Sequence, residues 1–141
     1  MVISAPSYAQ VRRVFGGFVR ALYRLEVVGA ERIPAAGPAI IAGNHDSVLD
    51  GIVLGAVVTR DLCFLGKAEL WRFRPLAWAL DGIGASRIER GRGDPEALAR
   101  ARDALEAGQL VAIFPQGAVR GDRRWRRGAA RLALEIGRAH V

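Results

Sequence analysis

Three short runs in this chain are apolar almost from end to end: "PAIIAG" (38–43), "DLCFLGK" (61–67) and "QLVAIFP" (109–115). A strand with one wet face alternates apolar and polar residues. These runs leave no face for water, which is the pattern of strands covered on both sides in a parallel sheet. Between them lie segments that read as helices. "SVLDGIVLGAVV" (47–58) is one, and "AELWRFRPLAWAL" (68–80) is a helical pair or a helix broken at Pro75. A further helix is capped by Asp94, opens with Pro95 and Glu96, and stops at Gly108. "GAARLALEIG" (128–137) is the last. Two further runs complete the strands: "LEVVGAERIP" (25–34), leaving into a turn at Pro34 and Gly37, and "GIGASRIER" (82–90). The expected fold class is therefore α/β, a mostly parallel sheet flanked by helices.

Ligands of such sheets gather at the carboxyl ends of the strands. The residues that follow those ends here are Asn44 and His45, Lys67, Glu89 and Arg90, then Gln116 and Gly117. This shared placement marks one end of the sheet as the candidate site.

A chain of 141 residues, 51% hydrophobic and 25% charged, is long enough for one domain with its own core. Its net charge is +7, carried by arginines and the single Lys67, so an anionic partner is expected: phosphate groups, a membrane surface or nucleic acid. No helix-turn-helix, zinc-finger or RNA-recognition signature supports nucleic acid, which is not expected as a partner. The longest apolar run, "GIVLGAVVT", spans only 51–59, whereas a membrane-crossing helix needs roughly 20 residues. The first residues lack the pattern of a secretion signal. Cys63 is alone, so no disulfide forms within one chain, and no metal-ligand spacing occurs.

Residues 7–25 carry a helical period. Val11, Val14, Phe15, Phe18, Leu22 and Leu25 fall on one stripe, with Arg12, Arg13, Arg20 and Arg24 mostly off it. Such a helix either docks on its own domain or lies on a membrane surface, and the two coexist if part of the stripe stays exposed. Residues 1–30 are thus read as an N-terminal amphipathic helix with a lead-in strand, and 31–141 as the main domain.

His45 and Asp50 raise the chemical question. Ser47-x-x-Asp50 resembles a capping box, in which both side chains serve only the helix start. The other reading is an acid–base pair. Five residues on a helix turn through roughly 500°, so the two side chains meet only if His45 sits in the preceding loop and folds back. Asp50 then accepts from one ring nitrogen, fixes the tautomer, and leaves the other nitrogen to take a proton. Ser47 lacks the glycine-flanked elbow of a hydrolase nucleophile, and Cys63 lies in an apolar run. His45 is therefore expected to activate a hydroxyl of a bound substrate.

Asn44, His45 and Asp50 complete the pattern N-H-x-x-x-x-D. "GASRIERGRGD" (84–94) places Arg90 after a strand, and "FPQGAVRGD" (114–122) supplies Phe114, Pro115 and Gly117. In this order the blocks resemble the signatures of the glycerolipid acyltransferases, the family of lysophosphatidic acid acyltransferase. The resemblance runs from about Ile33 to the end and implies a glycerolphosphate-acyltransferase-like fold for 31–141. It implies that His45 takes the proton of an acceptor hydroxyl and Asp50 orients it. The implied donor is acyl-CoA or acyl carrier protein, a co-substrate rather than a cofactor, with no metal. The implied acceptor is glycerol phosphate or a lysophospholipid. Asn44, Lys67, Arg90, Gln116, Gly117 and Arg120 are the substrate-binding candidates, and Lys67 suits phosphate or developing charge on the thioester oxygen. The implied place is peripheral, on the cytoplasmic face of an anionic membrane, through the N-terminal helix and the basic loop 120–127.

The chain departs from the family's third block. Gln116 stands where a glutamate is usual, Ala118 replaces a threonine, and Val119 holds the arginine position, with Arg120 one place later. The family's further apolar strand is also absent after "GRAHV" (137–141), so the domain is expected to be abbreviated or a fragment. A catalytically weak or silent membrane-associated fragment is the alternative reading.

Overall fold

The computed structural model describes residues 7–47, 49–83, 85–88, 95–116 and 127–137. Among these, four strands build one sheet: β1 (Ala39–Ala42), β2 (Leu62–Lys67), β3 (Ser86–Ile88) and β4 (Leu110–Ile113). Their order is β1-β4-β2-β3, and every pairing is parallel. Asp94, the expected helix cap, and most of the loop 120–127 lie outside the described residues.

The apolar runs are explained by two covered faces. Ile40, Cys63 and Val111 point to one side, where they meet Ala101, Ala104 and Leu105 of α5 (Pro95–Glu106) and Leu132 of α6 (Gly128–Ile136). Ala39, Leu62, Phe64, Leu110 and Ala112 point to the other, against Val58, Leu54, Ile83 and Tyr8. That second side is covered by α3 (Asp50–Val57), α4 (Arg74–Gly82) and the N-terminal helix. Pro75 opens α4 after a 3-10 turn, Ala68–Arg72, so the break falls where the ring is tolerated. Gly108 and Gly137, both at positive φ, turn the chain out of α5 and α6.

The N-terminal helix comprises α1 (Tyr8–Val11), a π-helical stretch (Arg12–Gly16) and α2 (Gly17–Tyr23). A capping box starts it: Ser7 Oγ accepts from Gln10 N–H, and Gln10 Oε1 accepts from Ser7 N–H. The π-turn lengthens the period locally, and the apolar stripe divides. Val11 and Val19 are buried, whereas Val14, Phe18 and Leu22 are 61%, 63% and 59% exposed. Gly16 permits the close approach, because a Cβ there would meet Ala56 at 3.4 Å. Tyr8 Oη donates to the carbonyls of Gly55 and Val58, and Arg20 Nη2 to that of Ala56. These donors satisfy carbonyls at the end of α3 that have no helical partner.

One expected strand is corrected. Residues 25–34 form no ladder: after Arg24 in the left-handed region, the chain runs to Gly29 (φ +83) and a 3-10 turn, Ala30–Arg32. Val28 is 85% exposed. The valines favour a strand only where a neighbour and a covering layer receive them, and here neither does.

At the amino end of the sheet, Arg60 does work that composition does not announce. Its guanidinium donates to the carbonyls of Pro34 (2.6 Å), Gly37 (2.8 Å) and Gly108 (2.8 Å). It ties the loop entering β1 to the turn entering β4.

Candidate active site

β1 and β4 are neighbours in space though far apart in sequence. Ala42 pairs with Ile113, and Gly43 N–H donates to the Ile113 carbonyl at 3.2 Å. The loop that carries His45 therefore leaves the sheet beside the loop that carries Phe114 and Gln116. Lys67 closes β2 on the other side of β4.

His45 lies in the loop after β1, and Asp50 is the first residue of α3. The loop folds back as the pairing requires, bringing His45 Nδ1 within 3.1 Å of Asp50 Oδ2. The same oxygen accepts from the main-chain N–H of Asp46 (2.8 Å) and of Ser47 (2.9 Å). One carboxylate thus holds both the loop before α3 and the histidine, while α3 itself, with Leu49 at its N-cap, starts without a side-chain cap. Burial pushes the Asp50 carboxyl up, but the Ser47 N–H, the His45 ring and the Asp46 N–H outweigh it. The net effect is to hold it below the ordinary carboxylate range. An ionised carboxylate only accepts, so Nδ1 is the donor in this contact, and in the neutral imidazole Nε2 is the nitrogen with the free lone pair. Among the described residues, nothing hydrogen-bonds Nε2.

Two contacts hold the histidine from the β4 side. The Phe114 ring stacks on the imidazole with centroids 4.4 Å apart and planes at 16°. Gln116 Oε1 accepts from the His45 main-chain N–H at 2.5 Å. Gln116 is 5% exposed and is the one buried polar side chain among the described residues. From sequence Gln116 is expected to bind substrate and Phe114 is only a letter of its block; here both instead contact His45. A signal for more was that both follow a buried strand directly.

Asn44 is exposed beside His45. Arg90, Gly117 and Arg120 lie outside the described residues. The aromatic residues near α4 are engaged elsewhere: Trp71 Nε1 donates to Asp81 Oδ1 at 2.6 Å, and Trp78 pairs with Phe15. Behind Asp50 an apolar cleft is lined by Phe15, Gly51, Gly55, Leu76 and Leu80. A wider cleft of about 800 Å³ opens at the amino end of β2, around Asp61, Asp81 and Asp103, and includes neither His45 nor Asp50. No three described His, Cys, Asp or Glu side chains cluster as metal ligands do.

The profile of the acyltransferase family matches residues 24–141. The chain belongs to the acyltransferase family. It is similar to an uncharacterized protein of Mycobacterium tuberculosis, 33% identical over 120 residues, which span 77% of this chain and 30% of that protein. It is also similar to the 1-acyl-sn-glycerol-3-phosphate acyltransferase of Bacillus subtilis, 28% identical over 117 residues, 82% of this chain and 58% of that enzyme. Its fold matches the crystal structure of the 1-acyl-sn-glycerophosphate (LPA) acyltransferase PlsC from Thermotoga maritima. The TM-score is 0.70 at 23% identity, over 92% of this chain and 54% of that one. This acyltransferase-family chain thus spans about half the length of the named enzymes it matches.

Proposed function

We propose that this chain carries an O-acyltransferase site that moves a fatty acyl group from a thioester, acyl-CoA or acyl carrier protein, to the hydroxyl of a lysophosphatidic acid-like acceptor in phospholipid biosynthesis. The single observation that carries this reading is the His45 Nδ1–Asp50 Oδ2 contact of 3.1 Å, which leaves Nε2 as the base. Nε2 takes the acceptor hydroxyl proton as the oxygen attacks the thioester carbonyl. The C–O bond forms, the C–S bond then breaks, and the departing sulfur receives the proton from the imidazolium. Asp50, kept ionised, stabilises that imidazolium without taking its proton. The acceptor's identity rests on the names of the similar enzymes.

Phosphate binding falls to Asn44 and Lys67 at the strand ends, and to Arg90, Gly117 and Arg120. Arginine grips phosphate with two parallel hydrogen bonds. The protein sits peripherally on the cytoplasmic face of an anionic membrane. Val14, Phe18 and Leu22 are exposed, as are Arg13 and Arg24, and no described helix is long and apolar enough to cross a membrane. The test is turnover of acyl-CoA and of acyl carrier protein with lysophosphatidic acid. Absence of transfer by a folded chain turns the reading toward the silent fragment.

A further inference from the structure

Resting on that reading, we propose that Gln116 is a positioning residue for the catalytic base, rather than a ligand of the acceptor: its amide oxygen holds the main chain at His45 and so fixes where the ring stands. His45 lies beyond the end of the β1–β4 ladder, whose last bond is Gly43 N–H to the Ile113 carbonyl. Past that point the loop has no strand partner to define it. Gln116 supplies one. Its oxygen meets the His45 N–H at 2.5 Å across a sequence separation of 71 residues, and its side chain is 5% exposed.

Three contacts then define the imidazole, each in a different way. Asp50 fixes the tautomer through Nδ1, Phe114 fixes the ring plane by stacking, and Gln116 fixes the main-chain origin of the side chain. The donor to Gln116 is an N–H, so the amide must present oxygen rather than nitrogen. A glutamate would accept the same hydrogen bond. The glutamine does so without burying a charge beside the ring, which is costly in a dry site unless paired. An oxygen already taken by His45 and buried is poorly placed to meet an acceptor hydroxyl. The substitution at this position therefore preserves the geometry of the base.

The two roles separate kinetically. Loss of an acceptor ligand raises acceptor KM, whereas loss of a base-positioning contact lowers kcat. The experiment compares native protein, Gln116→Leu and Gln116→Glu. Its readouts are steady-state kinetics with acyl-CoA and lysophosphatidic acid, and NMR of the His45 amide and ring. Misplacement of a reacting group by about 1 Å reduces rate by roughly 10²-fold, so Gln116→Leu is expected to lower kcat by about that factor with acceptor KM little changed. The His45 amide proton should move upfield, and contacts between the His45 and Phe114 rings should weaken. Gln116→Glu should restore both. A loss carried by acceptor KM with kcat held overturns the inference. So do His45–Phe114 ring contacts that persist unchanged in Gln116→Leu, whether or not the chain turns over. If Gln116→Leu does not fold, Gln116→Asn, shorter by one methylene, replaces it under the same criteria. His45→Ala in the same assay keeps the two claims apart: full activity there discards the base, while the ring contacts still judge Gln116.

Discussion

Asp50 Oδ2 lies 3.1 Å from His45 Nδ1 and at the same time accepts the N–H groups of Asp46 and Ser47. One oxygen thus closes the loop and orients the ring. The geometry makes the carboxylate structural and chemical at once, and the two roles can be measured separately.

Asp50→Asn should lower kcat while leaving the protein folded, because an amide can present its NH₂ group to the ring and no longer stabilises the imidazolium. The stability readout has a definite sign. The folded-state carboxyl is held below its ordinary value. Its contribution is fully present above the unfolded value, about pH 4, and is lost as pH falls through the lowered folded value. The gap in unfolding midpoint between native and Asp50→Asn should be constant above that range and shrink below it. A gap that widens on acidification contradicts the assignment.

Tyr8 provides a test at the opposite end of the scale. Burial, opposed by Arg12 and aided by Asp61, pushes its phenol up to about 12. A hydroxyl that donates to Gly55 and Val58 must stay protonated. The stabilisation is complete below the unfolded value of about 10 and is lost as pH rises toward the folded one. Tyr8→Phe should be destabilised by about 1 kcal/mol at neutral pH. It should also lack the native protein's loss of stability in the alkaline window, as read by denaturant titration at several pH values.

Arg60 holds the carbonyls of Pro34, Gly37 and Gly108 with one planar fork. A lysine keeps the charge but cannot reproduce that fork. Arg60→Lys should therefore lose about 2 kcal/mol of stability, with Arg60→Ala losing more, while acceptor KM holds. Equal stability of native and Arg60→Lys in urea would show that the fork is not needed.

How far the sequence reveals this site depends on the physical signal. The runs at 38–43, 61–67 and 109–115 announce a doubly covered sheet because no polar residue interrupts them, and β1, β2 and β4 lie there. The meeting of His45 and Asp50 is legible through the demand that the loop fold back and through the N-H-x-x-x-x-D pattern. "LEVV" misleads because local preference says nothing of whether a neighbouring strand exists, and Val28 ends in solvent. The N-terminal stripe leaves docking and surface seating both open, and the π-turn divides it, with Val11 and Val19 packed inward and Val14, Phe18 and Leu22 outward. The Gln116–His45 bond depends on β4 lying beside β1, a long-range order that no local pattern encodes.

The outward face of the N-terminal helix has its own consequence. Each basic residue close to an anionic bilayer contributes about 1 kcal/mol, fading as salt rises. Co-sedimentation with vesicles rich in phosphatidylserine should exceed that with neutral vesicles, decline with salt, and fall further in Phe18→Asp. Binding indifferent to lipid charge, salt and Phe18 contradicts a peripheral seat on this face.

The proposed reaction depends on His45 as the base that takes the acceptor proton. The most direct measurement is the steady-state rate of acyl transfer from acyl-CoA to lysophosphatidic acid by native protein and by His45→Ala, with folding checked by circular dichroism. General base catalysis is worth about 10²–10⁴-fold, so kcat should fall by that order while the unfolding midpoint stays near that of the native chain. A folded His45→Ala protein that transfers acyl groups at the native rate contradicts the account.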